Sequence, residues 1–213
     1  MRAGLTLKIP SSKFSKTDVV VEEQRLAFDG FFKMKVLTLK HRLFGGGWSE
    51  SLSREVFHRG EAVAAVLYDP VNDVIGLVEQ FRSGAIESDY SPWCLEVVAG
   101  MIEEGETAEE VMHRELGEEA GIQSAKLIPI TKYYSTPGGC SEQIHLFCAL
   151  CDLSGAGGLH GLDVEHEDIY LHVFSAHEVF AVMLDSRMNN AATLIGLQWL
   201  QLNRQCLMRE AKT

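Results

Sequence analysis

Glu115 and Glu119 stand four residues apart in the most acidic stretch of the chain, Gly100 to Ile122, and their spacing is the first sign of chemistry. Thr107 and Glu110 have the pattern of a capping box, and Gly121 stands where a helix would end on a left-handed residue. The segment therefore predicts a helix over Ala108–Ala120. At about 100° per residue, Ala108, Val111, Met112, Leu116 and Ala120 mark its apolar face, and Glu115 and Glu119 fall inside that arc. Glu110, Arg114 and Glu118 fall together at one side, with Arg114 placed to pair with Glu118 and support the helix. An acidic helix is ordinarily a solvated one. Carboxylates turned inward, however, lose hydration and repel each other, and they stay ionised only where a strong positive charge compensates. Hard divalent cations take such oxygen ligands, and magnesium commonly combines a few carboxylates with phosphate oxygens.

The elements that must position this helix are mostly strands. Asp18 to Glu23, Phe31 to Leu43 and Ser49 to His58 read as strands, with a turn at Gly45–Trp48. They would form an antiparallel meander too small to be stable alone, which must pack on the main domain or on a second subunit. From Glu61 the runs become apolar: Ala62–Tyr68 and Val74–Gln80 joined by a turn at Asp69–Asp73, then Trp93–Val98, Ile130–Tyr134, Ile144–Leu153 and Ile169–Phe174. Ser175 and Glu178 open a short helix with a second capping box, and Asn190 to Met208 has apolar residues at helical spacing. Strands with helices interspersed, but without a repeating β-α-β rhythm, predict a mixed-sheet α/β sandwich. The expected division is a β subdomain over residues 1–57 and a main domain over residues 58–213.

Composition narrows the partners. The net charge is −11, so the basic footprint of a nucleic-acid binder is missing. An anionic substrate is then admissible only where metal ions or a few arginines reverse the local field. No apolar run approaches the roughly 20 residues that span a bilayer, and Met1 to Lys16 reads as a loose tail rather than a secretory signal. Five cysteines include the Cys148-x-x-Cys151 pair, whose spacing suits a zinc knuckle or a redox site. The pair has no second half and lies in an apolar strand, which favours ordinary buried thiols and a reducing cytoplasm.

Gly100, Glu106, Arg114-Glu115-Leu116, Glu118-Glu119 and Gly121-Ile122 together match the fixed positions of the Nudix box, and the chain is identified as resembling that family. The resemblance implies an α/β/α Nudix sandwich with a mixed sheet, beside the small N-terminal antiparallel β subdomain. It implies Mg2+, with Mn2+ as an alternative, held by Glu115, Glu119 and Glu167 with the carbonyl of Ala99. Glu118 and Arg114 join the catalytic set in support. Pro137, fifteen residues beyond Ile122 in Ser135–Glu142, resembles the mark of the ADP-ribose pyrophosphatase subfamily. Asp29–Phe32, His41–Phe44, Arg54–Phe57, Glu79–Arg82, Glu96–Gly105 and Glu165–Asp168 extend the likeness over nearly the whole chain.

What that resemblance implies is hydrolysis of the pyrophosphate bridge of a small nucleoside diphosphate sugar, ADP-ribose first, giving AMP and ribose 5-phosphate. GDP-mannose and ADP-glucose remain as other substrates, and a non-catalytic nucleotide-sugar sensor as another class. Phe31 would stack on adenine, although its type equally suits a core aromatic. Arg54 and Arg82 would meet base, phosphate or ribose oxygens, and Glu142 and Gly139 of the Pro137 loop would reach the terminal ribose. Glu165 would be the general base and Glu167 a further metal ligand, although the neighbouring acids leave those two roles exchangeable. The meander would be the swapped part of a homodimer.

Overall fold

The structure, a computed structural model, describes residues 11–185 and 187–211. Most of the expected N-terminal tail, residues 1–10, lies outside the described residues. Contacts divide the chain into two units, Met1–Arg59 with Thr136–Ser141, and Gly60–Ser135 with Glu142–Thr213.

The first unit is an antiparallel sheet of β1 (Val19–Asp29), β2 (Lys33–His41) and β3 (Leu52–His58) in that order. β1 runs six residues past the expected strand end. Gln24 to Asp29 lacks a clean apolar alternation, yet it stays paired with β2, with register shifts at Val21/Glu23 and Leu26/Phe28. Val36 and Cys140 are the buried hydrophobic residues among the described residues of this unit, and β1 is exposed along its whole length. The Pro137 loop belongs here through a parallel bridge between Phe57 and Cys140. The Phe57 amide donates to the Gly139 carbonyl at 2.8 Å, and the Ser141 amide to the Phe57 carbonyl at 3.0 Å.

The second unit contains β4 (Glu61–Asp69), β5 (Val74–Phe81), β6 (Trp93–Glu96), β7 (Val98–Ile102), α1 (Ala108–Ala120), β8 (Lys126–Tyr134), β9 (Gln143–Leu150), β10 (Gly158–His160), β11 (Ile169–Ser175), α2 (Ala176–Val182) and α3 (Ala191–Glu210). Its main path is β10-β11-β5-β4-β9-β8. β4 and β9 are parallel and the other pairs antiparallel, so the sheet is mixed as expected.

β4 shows why this is a three-layer sandwich. Side chains alternate across a strand. Val63, Ala65 and Leu67 enter a core with Val111, Met112 and Leu116 of α1. Ala64, Val66 and Tyr68 enter a second core with Val179 of α2 and Leu197 and Leu200 of α3. A strand covered on both faces needs an unbroken apolar run, which Ala62–Tyr68 supplies.

The sheet forks where the chemistry lies. β4 and β5 pair only through Leu67–Asp69 and Val74–Gly76. Below that point β4 turns to β7, with Ala64 opposite Ala99, and β5 turns to β6, with Gln80 opposite Cys94. The single apolar run Trp93–Val98 expected from sequence is therefore two strands that break at the buried Val97.

Among the described residues no helix is long and apolar enough to cross a membrane. Cys148 and Cys151 are free, buried thiols, and burial pushes each up to about 12.

Candidate active site

α1 begins and ends where its caps require. Thr107 Oγ1 accepts from the Glu110 amide at 3.3 Å, and Glu110 Oε2 accepts from the Thr107 amide at 3.0 Å. Gly121 closes the helix at φ 66°, left-handed backbone that glycine adopts without strain. Glu110, expected beside Arg114 and Glu118, is thus spent on the cap.

The helix turns two carboxylates into the second unit. Glu119 is 2 % exposed and Glu115 9 %. Glu119 sits at the fork: one oxygen accepts from the Ala99 amide of β7 at 3.1 Å, the other from Gln80 Nε2 of β5 at 3.4 Å. The N–H and C=O of one strand residue leave on the same edge. The Ala99 amide turned to Glu119 therefore brings the Ala99 carbonyl to that side as well. Burial pushes Glu119 up to about 8; the Ala99 bond and Arg82 oppose the rise, while Glu115 and Glu167 add to it. Glu115 is pushed up to about 7, again mainly by burial, with Arg114 opposing and Glu118 and Glu167 reinforcing. Arg114 Nη1 lies 2.8 Å from Glu115 and 3.0 Å from Glu118, with Arg114 Nε 3.7 Å from Glu106.

Glu167 is anchored beside this group. The Gly161 amide donates to the Glu118 carbonyl of α1 at 3.0 Å, and the Leu162 amide to Glu167 Oε2 at 3.4 Å. Its charge raises both Glu115 and Glu119, so three of the expected metal residues act on one another. Glu165 ends an exposed 3-10 turn, Asp163–Glu165, just before His166, which sits at φ 56°.

Among the described residues no three His, Cys, Asp or Glu side chains are closed up as a metal cage. Glu115 is turned onto Arg114 and Glu119 onto the Ala99 amide. The donors nonetheless suit a hard divalent cation. They are oxygen ligands, they are desolvated, and burial has raised both acids to values that an adjacent cation would reverse.

The expected substrate contacts are spread over both units. In the first, Phe31 is 85 % exposed, which excludes the core-aromatic reading, and its ring meets Phe32 edge-on at 4.8 Å. Arg54 is exposed on β3 and donates to the Ser53 carbonyl at 2.8 Å. Gly139 is exposed in the Pro137 loop. In the second, Arg82 follows β5, and Glu142 is buried at the end of the loop. Gln80 and Glu96 had no role on sequence grounds. A polar residue in an otherwise buried strand was the available signal, since Gln80 and Glu96 are 6 % and 4 % exposed.

A forked mixed sheet between helical layers, with a capped acidic helix delivering two buried glutamates to the fork, defines a Nudix domain. The NUDIX domain family model matches residues 58–195, and the chain belongs to that family. It is 41% identical over 197 residues to the ADP-ribose pyrophosphatase of Escherichia coli, covering 92% of this chain and 94% of that one. The ADP-ribose pyrophosphatase of Haemophilus influenzae is 43% identical over 202 residues, covering 93% of each. A GDP-mannose pyrophosphatase of Pectobacterium atrosepticum is 30% identical over 190 residues, covering 86% of this chain and 93% of that one. Among solved structures, an ADP compounds hydrolase superposes with a TM-score of 0.66 at 20% identity, covering 89% of this chain and 98% of that one, which shows the fold.

Proposed function

We propose that the chain is a Mg2+-dependent hydrolase that splits the pyrophosphate bond of ADP-ribose into AMP and ribose 5-phosphate. The observation that carries the reading is the pair of desolvated carboxylates, Glu115 and Glu119, at the fork of the sheet. The 41% and 43% identities to ADP-ribose pyrophosphatases support the choice of substrate.

Glu115, Glu119, Glu167 and the Ala99 carbonyl would hold Mg2+, with Mn2+ as a substitute. When bound, such a cation neutralises phosphate charge and makes water a stronger nucleophile. Arg114 holds Glu115 and Glu118 in place on the helix. Glu165 takes the proton of the attacking water from its exposed turn. Arg82 and Arg54 contact the nucleotide through their guanidinium groups, which match phosphate and carboxylate geometry. Phe31 offers its exposed ring to the adenine, and Glu142 and Gly139 address the terminal ribose.

Among the described residues, the first unit buries too little apolar surface to be stable unaided, which supports a homodimer in which this sheet is covered. Sedimentation should give twice the 23.6 kDa chain mass; a monomer at micromolar concentration would refute it. Free cysteines, four of them buried, support a reducing cytoplasm, and a disulfide found in the isolated native protein would refute that assignment.

A second reading, hydrolysis of another nucleoside diphosphate sugar, is favoured by the 30% identity to the GDP-mannose pyrophosphatase. The test is a hydrolysis panel with Mg2+ and with Mn2+, covering ADP-ribose, GDP-mannose, ADP-glucose, NADH and a nucleoside triphosphate. AMP and ribose 5-phosphate from ADP-ribose, in preference to the other products, are expected. Better turnover of GDP-mannose would move the substrate; binding of ADP-ribose without cleavage of anything would make the chain a sensor.

A further inference from the structure

Arg82 makes one guanidinium hydrogen bond among the described residues, and the geometry of that bond is informative. Its Nε donates to Glu96 Oε2 at 2.8 Å. The two terminal amino groups, which form the planar fork of an arginine, are left over. Arg82 is 42% exposed while the Glu96 side chain is 5% exposed, so the carboxylate is the fixed partner and the fork is the accessible end. Arg82 also acts on Glu119 through space, which puts the guanidinium near the acidic centre.

Glu96 is itself held from the other side. Asn190 Nδ2 donates to Glu96 Oε1 at 2.9 Å. Asn190 is the N-cap of α3, and its Oδ1 accepts from the Thr193 amide at 3.2 Å. Thr193 Oγ1, fully buried, accepts from the Val97 amide at 3.1 Å, next to Glu96 in the chain. The start of a 20-residue helix is thus joined to the end of β6 by two hydrogen bonds. Arg82, Glu96, Asn189 and Asn190 line one cavity of about 490 Å³ together with Cys94 and Glu87.

We infer that Glu96 and Asn190 are positioning residues for the substrate: Asn190 fixes the Glu96 carboxylate, and Glu96 holds Arg82 by Nε so that its terminal fork faces the diphosphate. The inference rests on the proposed function, since it needs a phosphate for Arg82 to grip. A buried carboxylate bonded by Nε alone fits this duty, because a bidentate pair would have consumed the fork. The diphosphate is charged before and during the reaction, so this grip acts on the ground and transition states alike and its loss falls on KM.

The test is a double-mutant cycle read by KM and kcat. Glu96→Gln keeps the shape but loses the charge and must present an amide to one of its two donors. Asn190→Ser keeps a helix N-cap but cannot reach Glu96, so it removes only that contact. Each single variant should raise KM about tenfold with kcat within about twofold, and Arg82→Ala should do the same or more. The combination of Glu96→Gln with Arg82→Ala should be no worse than Arg82→Ala alone. Additive losses would overturn the inference, as would unchanged KM in Asn190→Ser, the variant that serves if Glu96→Gln does not fold. The cycle is run on whichever nucleoside diphosphate sugar the wild type cleaves best. A wrong choice of ADP-ribose therefore shows in the wild type, whereas a wrong role for Glu96 shows in the missing coupling.

Discussion

The Glu115 carboxylate occupies the space that a side chain on Gly100 would need: a Cβ built there overlaps it. Gly100 is an ordinary strand residue of β7 opposite Val63, so its backbone conformation does not call for glycine. The requirement is room for the neighbour's carboxylate, and it ties the start of the acidic motif to its second half through contact.

Gly100→Ala should therefore separate stability from function. The obstructing atoms are the end of a flexible side chain, so the fold can yield at little cost and alanine stiffens the unfolded chain. The unfolding free energy should change by less than about 1 kcal/mol in denaturant titration. Mg2+ affinity and turnover should fall by about 10-fold to 100-fold as Glu115 is displaced. Full activity in Gly100→Ala would mean that Glu115 is free to work from another position.

How much of this was legible in the sequence depends on whether the cause was local. α1 runs from Ala108 to Ala120 as its caps dictate, because a capping box and a terminal glycine act within one turn. The burial of Glu115 and Glu119 followed from helical periodicity alone. The fork did not, since Trp93–Val98 reads as one apolar run and nothing local says that its halves pair with different strands. The place of the Pro137 loop beside β3 rests on a bridge between Phe57 and Cys140, residues far apart in sequence. Arg114 shows the limit of a helical wheel. Its expected partner Glu118 is there, but so are Glu115 at 2.8 Å and, from the loop before the helix, Glu106.

Asp73, in the turn between β4 and β5, supplies a pH prediction. Its carboxylate pairs with Arg204 of α3 and accepts from the Tyr68 hydroxyl at 2.9 Å, and Tyr68 is fully buried. The Arg204 bond, then the Tyr68 bond, hold the Asp73 carboxyl below its ordinary value of 3.8. The folded state therefore gives up this proton more readily than the unfolded one. The resulting stability is present above about pH 4 and is lost as pH falls through the folded value. Asp73 has φ 57°, a conformation asparagine tolerates, so Asp73→Asn removes the charge without backbone strain. The variant should lose about 1–3 kcal/mol at pH 7 and show a shallower loss of stability on acidification, followed by denaturant melts at stepped pH. An unchanged acid slope would show that the pair does not report on folding.

Glu165 and Glu167 are two residues apart, yet their surroundings call for different work. Glu167 is held by the Leu162 amide on a loop fastened to α1, and its charge acts on Glu115 and Glu119. A carboxylate that shares a field with two others is where a cation gains most from a further ligand. Glu165 ends an exposed turn, where a proton can be passed to solvent after each cycle. Glu165→Gln should accordingly cut kcat by about 100-fold to 10,000-fold and leave Mg2+ binding by calorimetry unchanged, since the amide keeps the side chain's shape but cannot act as the base, and a base is not a metal ligand. Glu167→Gln should weaken Mg2+ by about 10-fold to 100-fold, and excess metal should restore part of its turnover. Recovery by metal is the discriminating readout, because a missing base is not replaced by more cation. If Glu165→Gln recovers with metal and Glu167→Gln does not, the two roles are exchanged.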